Sequence, residues 1–264
     1  MKRIMMTVAY DGTNYHGWQI QPNGISIEQV LNETLSKLLG EEIKVSGASR
    51  TDTGVHALCN MAVFDTDTRI PGDKIAPAVN QRLPQDIRVI KSCQVENDFH
   101  PRFAKTEKTY EYKIYNAHVM DPSKRFNHLL NYYQLDLEAM ERAARVLVGI
   151  HDFKSFCSVD AQVKDTVREI TDISVTSYAV QPFVADMTGG EFATEAARII
   201  TIRVSGYGFL YNMVRIIAGT LLEIGRGAMD ADRMSDILNG CDRMLAGPTA
   251  PAHGLTLTGY KILE

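Results

Sequence analysis

Between an apolar run at Ile43 and Val45 and another at Met61, Val63 and Phe64 lies a polar island, Gly47-Ala48-Ser49-Arg50-Thr51-Asp52-Thr53-Gly54-Val55-His56-Ala57. Two strands flanking such a run must release it as a loop, because its charged and hydroxyl side chains have no place in a strand buried on both faces. Gly47 and Gly54 bracket it, and glycine serves where φ turns positive or where another group approaches the backbone closely. Asp52 is thereby placed on a tight loop between strands. Arg50 precedes it by two positions, so in an extended segment both side chains point the same way and a guanidinium can steady the carboxylate. An Asp with its ordinary pKa of about 3.9 is ionised at neutral pH and can attack carbon without a helper base. The residues alone fit two readings: an Asx-turn with a surface ion pair, or a carboxylate held out toward a substrate.

The rest of the chain reads as strands and helices in alternation. Lys2 to Tyr10 is a first strand, followed by a loop, Asp11 to Gly24, rich in Gly, Asn and Asp and holding the only tryptophan, Trp18. By its composition this loop is a surface turn with Trp18 tucked onto the core. Ser26 opens a helix with Gln29 completing a capping box; Ile27, Val30, Leu31, Leu35, Leu38 and Leu39 form its apolar stripe and Gly40 closes it. A helix near Lys74 to Arg82, a break at Leu83-Pro84 and a strand through Ile87 to Val89 complete a first unit ending near residue 104. In Thr109 to Tyr115 the alternation puts Tyr110, Tyr112 and Ile114 on one face and Thr109, Glu111, Lys113 and Tyr115 on the other. Residues 116–135 carry little signal beyond a turn at Asp121-Pro122-Ser123. Leu135 to Val148 reads as a helix, and His151-Asp152 as a capping and packing pair. Val167 to Tyr178 and Ala197 to Val204 read as a hairpin with a polar link through Gly189-Gly190. Arg215 sits among Met213, Val214, Ile216 and Ile217 on a helix running to Gly227; an arginine on an apolar stretch needs a partner. A polar helix near Asp232 to Leu238 and a strand from Leu255 to Ile262 close the chain. Short links between strands and helices predict an α+β protein whose helices cover one face of a sheet, with one half over residues 1–104 and another over 105–264.

At 264 residues, 45% hydrophobic and 23% charged, the composition is that of a globular protein with a substantial core. Cys59, Cys93, Cys157 and Cys241 are far apart with no Cys-x-x-Cys pair, which predicts reduced thiols, a cytoplasmic setting and neither a disulfide framework nor a zinc cluster. The N-terminal apolar run is short and no long one follows, so neither export nor a membrane span is expected. The net charge of −4 argues against a generally basic nucleic-acid binder; binding of that kind requires the basic residues to be concentrated on one face.

Several stretches together resemble the tRNA pseudouridine synthase A (TruA) family. Arg50 to Ala57 is similar to its active-site signature Arg-Thr-Asp-x-Gly-Val-His-Ala, with Thr53 at the variable position where Ala is commoner. Tyr10, Gly12, Tyr15, Gly17, Gln19 and Gln21 match a Tyr-x-Gly-x-x-Tyr-x-Gly-x-Gln-x-Gln pattern, and Asn80 to Ile87 is comparable to Asn-x-x-Leu-Pro-x-Asp-Ile. Lys108, Tyr110 and Tyr112 resemble Lys-x-Tyr-x-Tyr. Gly206 to Arg215 resembles Gly-x-x-Phe-Leu-x-x-Met-Val-Arg, and Ala246 to Leu255 a loop at the mouth of the family's cleft.

The resemblance implies the pseudouridine synthase fold: two similar α+β halves, antiparallel or mixed sheets flanked by helices, and a central basic cleft holding the site. It implies an isomerase that converts uridine to pseudouridine at positions 38, 39 and 40 in the anticodon stem-loop of tRNA. It casts Asp52 as nucleophile, Arg50 and Arg215 as the cations holding it ionised and oriented, and Tyr110 as the ring that meets the extruded base. Such a reaction adds and removes no group and calls for neither metal nor redox cofactor. Arg82, Arg102, Lys105, Lys108, Lys113 and Arg226 are the corresponding tRNA phosphate contacts, and a homodimer is implied. Two other readings stay open on the residues. In a nucleoside or glycoside hydrolase Asp52 assists cleavage at C1′, although no second, acid-role carboxyl group stands out. In a non-catalytic RNA-binding module Asp52 is dispensable.

Overall fold

The computed structural model describes residues 1–159, 163–180 and 197–263; the polar link through Gly189 and Gly190 lies outside them. The first elements are β1 (Lys2–Tyr10), α1 (Ile27–Leu39), β2 (Ser46–Gly47), β3 (His56–Thr66), α2 (Ile75–Asn80), β4 (Ile87–Val95) and β5 (Thr106–Asn116). They are followed by β6 (Leu129–Asn131), α3 (Leu137–Arg145), β7 (Gly149–Asp152), β8 (Val167–Ala179), β9 (Arg198–Gly206), α4 (Met213–Gly225), α5 (Arg233–Gly240) and β10 (Leu255–Ile262). The fold is α+β. The chain divides into two units, one of Met1–Thr109 with the stretch from Thr256 on, the other Tyr110–Leu255.

In the first unit the strands lie in the order β4-β1-β3-β10. β1 runs antiparallel to both β3 and β4, whereas β10 joins β3 in parallel through Thr256 and Leu257 opposite His56 and Ala57. Period-two alternation sends Ile4, Met6, Val8 and Tyr10 of β1 into the core. Helix α1 adds Ile27, Leu31 and Leu35 on its buried side, each contributing about 1.5–3 kcal/mol by leaving water. The Ser26 hydroxyl accepts from the Gln29 amide at 3.2 Å, and Gly40 ends the helix at φ +73°. Only half of the expected capping box forms, because the Gln29 side chain donates to Glu33 instead of turning back.

Ile43 and Val45 are buried but do not form the strand expected of them. Their amides are taken by side chains of α1, Ile43 N by the Ser36 hydroxyl at 2.9 Å and Val45 N by Asn32 Oδ1 at 2.8 Å. The backbone is thus satisfied without a ladder, and pairing with β3 is limited to Ser46 and Gly47.

In the second unit β8 and β9 form the expected antiparallel hairpin, with β7 outside β8 and β5 beside β9. Tyr112 and Ile114 of β5 are buried as the alternation requires. Tyr115 is buried as well, against its assignment to the charged face, because Ala197, Ile199, Leu130 and Met120 build a second apolar cluster around it. Helix α4 is apolar almost all round and is a core helix, packed against α3. Gly219 allows the 246–250 loop to lie on it: a Cβ there would stand 1.8 Å from the Pro248 carbonyl oxygen.

Candidate active site

The loop carrying Asp52 is held from several sides within the first unit. The Val55 amide donates to the Asp52 carbonyl at 3.1 Å, closing a turn in which Gly54 takes φ +78°. Thr51 is buried; its hydroxyl pairs with Tyr10 Oη at 2.7 Å and its carbonyl accepts the Trp18 amide at 3.1 Å. Asn60 of β3 receives the Ser49 amide on Oδ1 at 3.3 Å and donates back to the Ser49 carbonyl at 3.0 Å. Ala48 N donates to Met61 O at 2.8 Å. With its neighbours so fixed, Asp52 is half-buried on a turn that has little room to move.

The 10–18 segment is the other wall of this turn. A Cβ on Gly12 would lie 2.0 Å from the Val55 carbonyl oxygen, and one on Gly17, at φ +77°, 2.4 Å from that of Thr51. Gly12 N donates to His56 Nδ1 at 3.0 Å, Gly54 N to Tyr15 O at 3.2 Å, and Tyr15 Oη to Asp86 at 2.7 Å. Trp18 is 2% exposed and lies against Gly47. Composition alone made this segment a surface turn; it is a cradle for the Asp52 loop, signalled by the glycine spacing at 12 and 17. Burial pushes the Tyr10 phenol above its ordinary pKa, and burial with the Asp86 contact does the same for Tyr15. Both therefore act as neutral hydrogen-bonding groups.

Arg50 is exposed. Unlike Asp52 it has no polar partner among the described residues, so it does not close onto the carboxylate in this structure. Lys108 is half-buried, its amine 3.4 Å from the Ala48 carbonyl and 5.5 Å from the centre of the Tyr260 ring. Burial, and secondarily the charge of Arg102, pull its pKa down to about 8. Arg82, Arg102 and Lys105 are exposed in the same unit.

In the second unit Arg215 occupies the first turn of α4. Its Nε donates to the Ala250 carbonyl at 2.8 Å and its Nη1 to Asn212 Oδ1 at 2.6 Å, while Ala250 N returns a bond to Arg215 O at 3.1 Å. Asn212 caps the helix at φ +61°, and its Nδ2 holds Ser158 Oγ at 2.8 Å. A left-handed asparagine is a small stored strain, offset by side-chain bonds that aim the guanidinium. Sequence reading missed Asn212, whose role depends on a backbone angle. Tyr110 is buried and meets Phe209 edge-on, with ring centroids 5.1 Å apart at 83°. Lys113 is half-buried beside Glu111 at 3.4 Å, and Arg226 is exposed but paired with Glu223. Asp152 accepts from Lys154 N and Thr166 Oγ1, a capping role.

Among the described residues no group of three or more His, Cys, Asp and Glu could hold a metal ion. No helix among them is long and apolar enough to cross a membrane.

A family model described as tRNA pseudouridine synthase matches residues 6–104 and 143–261. Asp52 and Arg215 fall inside the matched stretches; Tyr110 falls between them. The chain is 44% identical over 257 residues to tRNA pseudouridine synthase A of Ruminiclostridium cellulolyticum, covering 97% of this chain and 98% of that one. The enzyme of the same name from Thermoanaerobacter sp. is 41% identical over 262 residues, with 97% and 98% covered. That from Halalkalibacterium halodurans is 43% identical over 256 residues, with 97% and 90% covered.

Proposed function

Since the chain belongs to the tRNA pseudouridine synthase family, we propose that it isomerises uridine to pseudouridine in tRNA, at positions 38, 39 and 40 of the anticodon stem-loop. The reaction breaks the N1–C1′ bond, turns the uracil and joins C5 to C1′; the C5 proton leaves and N1 gains one, so product and substrate have equal mass. Asp52 is the reacting carboxylate. The observation that carries this reading is its placement, half-buried on a turn held before Asp52 by Asn60 at Ser49 and by Tyr10 and the Trp18 amide at Thr51, and after it by the Tyr15 carbonyl at the Gly54 amide. Fixing a group before the reaction removes the cost of ordering it in the transition state.

Arg215 supplies positive charge to this anion, which keeps it ionised and oriented, while Arg50, exposed in this structure, adds positive potential without a direct hold on it. The Asn212 and Ala250 bonds that aim Arg215 support the role. Tyr110 stacks on the extruded base, an interaction worth about 1–3 kcal/mol; Phe209, packed edge-on, holds its ring. Exposed Arg82, Arg102, Lys105 and Arg226 meet tRNA phosphates, so an acidic chain binds an acidic polymer through local potential. Of the other cations in this set, Lys113 is already beside Glu111, and the Lys108 amine faces the Ala48 carbonyl. The working enzyme is a cytoplasmic homodimer whose two copies share one tRNA.

The test is an unmodified tRNA transcript labelled with tritium at uridine C5. Wild type releases tritium at the anticodon-arm uridines with no change of mass, and Asp52→Asn binds the transcript without turnover. Release of free uracil points instead to a hydrolase. An active Asp52→Asn variant refutes the assignment.

A further inference from the structure

The Asp52 loop is tied by neutral groups on most sides: Tyr10 and the Trp18 amide at Thr51, Asn60 at Ser49 and the Met61 carbonyl at Ala48 N. Its first carbonyl, that of Ala48, faces a different partner, the amine of Lys108 at 3.4 Å. The surroundings of that amine are unusual for a lysine. The Tyr260 ring of β10 lies on one side, itself anchored by its hydroxyl to the Pro101 carbonyl at 3.1 Å. The charged neighbour that acts on it is Arg102, of its own sign, and no carboxylate among the described residues compensates it. Cys59 of β3 acts on the Tyr260 phenol, and burial pushes its thiol up to about 11, so it is neutral. His100, in the same segment as Arg102, is turned to Ser46 Oγ at 3.1 Å, and burial and the nearby arginines push its pKa down. A half-buried amine without a counter-ion is a costly arrangement. A fold that only needed to fill this space could do so with an apolar side chain.

We infer that Lys108 is a positioning residue for the isomerisation, its amine pinning the carbonyl at the head of the Asp52 loop and so setting where the carboxylate stands. The inference rests on reading Asp52 as the reacting group. It separates Lys108 from the phosphate-binding cations, because its polar contact is spent on the protein's own backbone. A charged donor makes the stronger bond to a carbonyl. With a pKa near 8 the amine is charged at neutral pH and loses that charge in mildly alkaline solution, loosening the tether.

A folded-state pKa below the ordinary lysine value of about 10.4 means that folding disfavours the charge, so the unfolded chain holds more protons between pH 8 and that value and stability rises with pH across the window. Methionine, of similar length and uncharged, therefore leaves stability at pH 7 equal or higher.

The experiment compares wild type, Lys108→Met and Lys108→Arg in single-turnover tritium release with enzyme in excess, alongside tRNA affinity, thermal midpoint and amide exchange across residues 48–55. Lys108→Met should slow the saturated rate by roughly tenfold to a hundredfold, the penalty of a misplaced reacting group. Its tRNA affinity should stay within about twofold, since no phosphate contact is removed. Its midpoint should not fall, and amides at 48–55 should exchange faster. Lys108→Arg should restore the rate and move the alkaline decline above pH 8 upward. Weakened tRNA binding with an unchanged saturated rate overturns the inference in favour of a phosphate contact. A fall in midpoint that accounts for the lost activity overturns it in favour of a structural role, and wild-type behaviour in every readout also overturns it. If wild type forms no pseudouridine, the functional reading fails, while amide exchange still reports whether the tether exists.

Discussion

Replacing Gly12 with alanine should disable the enzyme while leaving it folded, and the size of the effect follows from one distance. The added Cβ would lie 2.0 Å from the Val55 carbonyl oxygen and 2.7 Å from its carbon, where ordinary contact begins at 3.4 Å. The obstruction is backbone, so no side chain can swing away, and the turn must retreat by about 1.4 Å. Val55 N holds the Asp52 carbonyl, so the carboxylate moves with it. A displacement of about 1 Å at a reacting group costs roughly a hundredfold in rate, or about 2.7 kcal/mol in the barrier. The fold loses about 1–3 kcal/mol to overpacking, a drop of several degrees in melting temperature for a chain of this size. Gly40→Ala is the control: φ is +73° but nothing lies within 4 Å, so it carries a comparable strain of about 1–2 kcal/mol far from the loop. Single-turnover tritium release and thermal unfolding, run on both variants, separate the two effects. Were Gly12→Ala to melt like Gly40→Ala and still react at the wild-type rate, the claim that the 10–18 segment sets the position of Asp52 would be wrong.

Four further outcomes are expected. Asn212→Gly relaxes the φ of +61° but removes the Arg215 and Ser158 bonds; it should keep its melting temperature and lose roughly tenfold in rate as the guanidinium, still held at Nε by the Ala250 carbonyl, loses its restraint at Nη1, and full activity would show that Arg215 needs no such anchor. Arg82→Ala and Arg102→Ala should each weaken tRNA binding and flatten the dependence of log affinity on log salt by about 0.7–0.9, measured by filter binding; an unchanged slope removes that residue from the interface. Tyr110→Ala should weaken engagement of the target base by about 1–3 kcal/mol, read from the saturated rate against that of Tyr110→Phe, with equal rates for both contradicting a stacking role. In the 121–124 turn the Lys124 amine and the Ser123 hydroxyl and amide hold the Asp121 carboxyl down at about 2. Its contribution to stability is therefore complete above the ordinary Asp pKa of about 3.9 and is lost as pH falls through the folded value. Asp121→Asn should flatten acid denaturation across that window, and an unaltered acid limb would dismiss the turn as a source of pH sensitivity.

Local pattern was enough for much of the fold. Lys2 to Tyr10 and Leu255 to Ile262 read as strands and are β1 and β10, and the Ser26 and Gly40 signals bounded α1, because these features depend on neighbours a few residues apart. The glycine-bracketed island placed Asp52 on a loop between strands for the same reason. Family resemblance, carried by long motifs, added the chemistry.

What local pattern did not carry was every feature that depends on groups distant in sequence. Ile43 and Val45 have strand composition, yet Ser36 and Asn32 of the preceding helix take their amides. Tyr115 stands at an outward position of β5 and is buried because residues 197 and 199 arrive beside it. Arg50 shares a direction with Asp52 along the chain but stays in solvent. The sequence by itself determined which carboxylate is available and that it is presented on a turn. Tertiary structure decided how firmly that turn is held, since its restraints come from residues 10–18, 60 and 108, and no periodicity in one strand encodes contacts across that span.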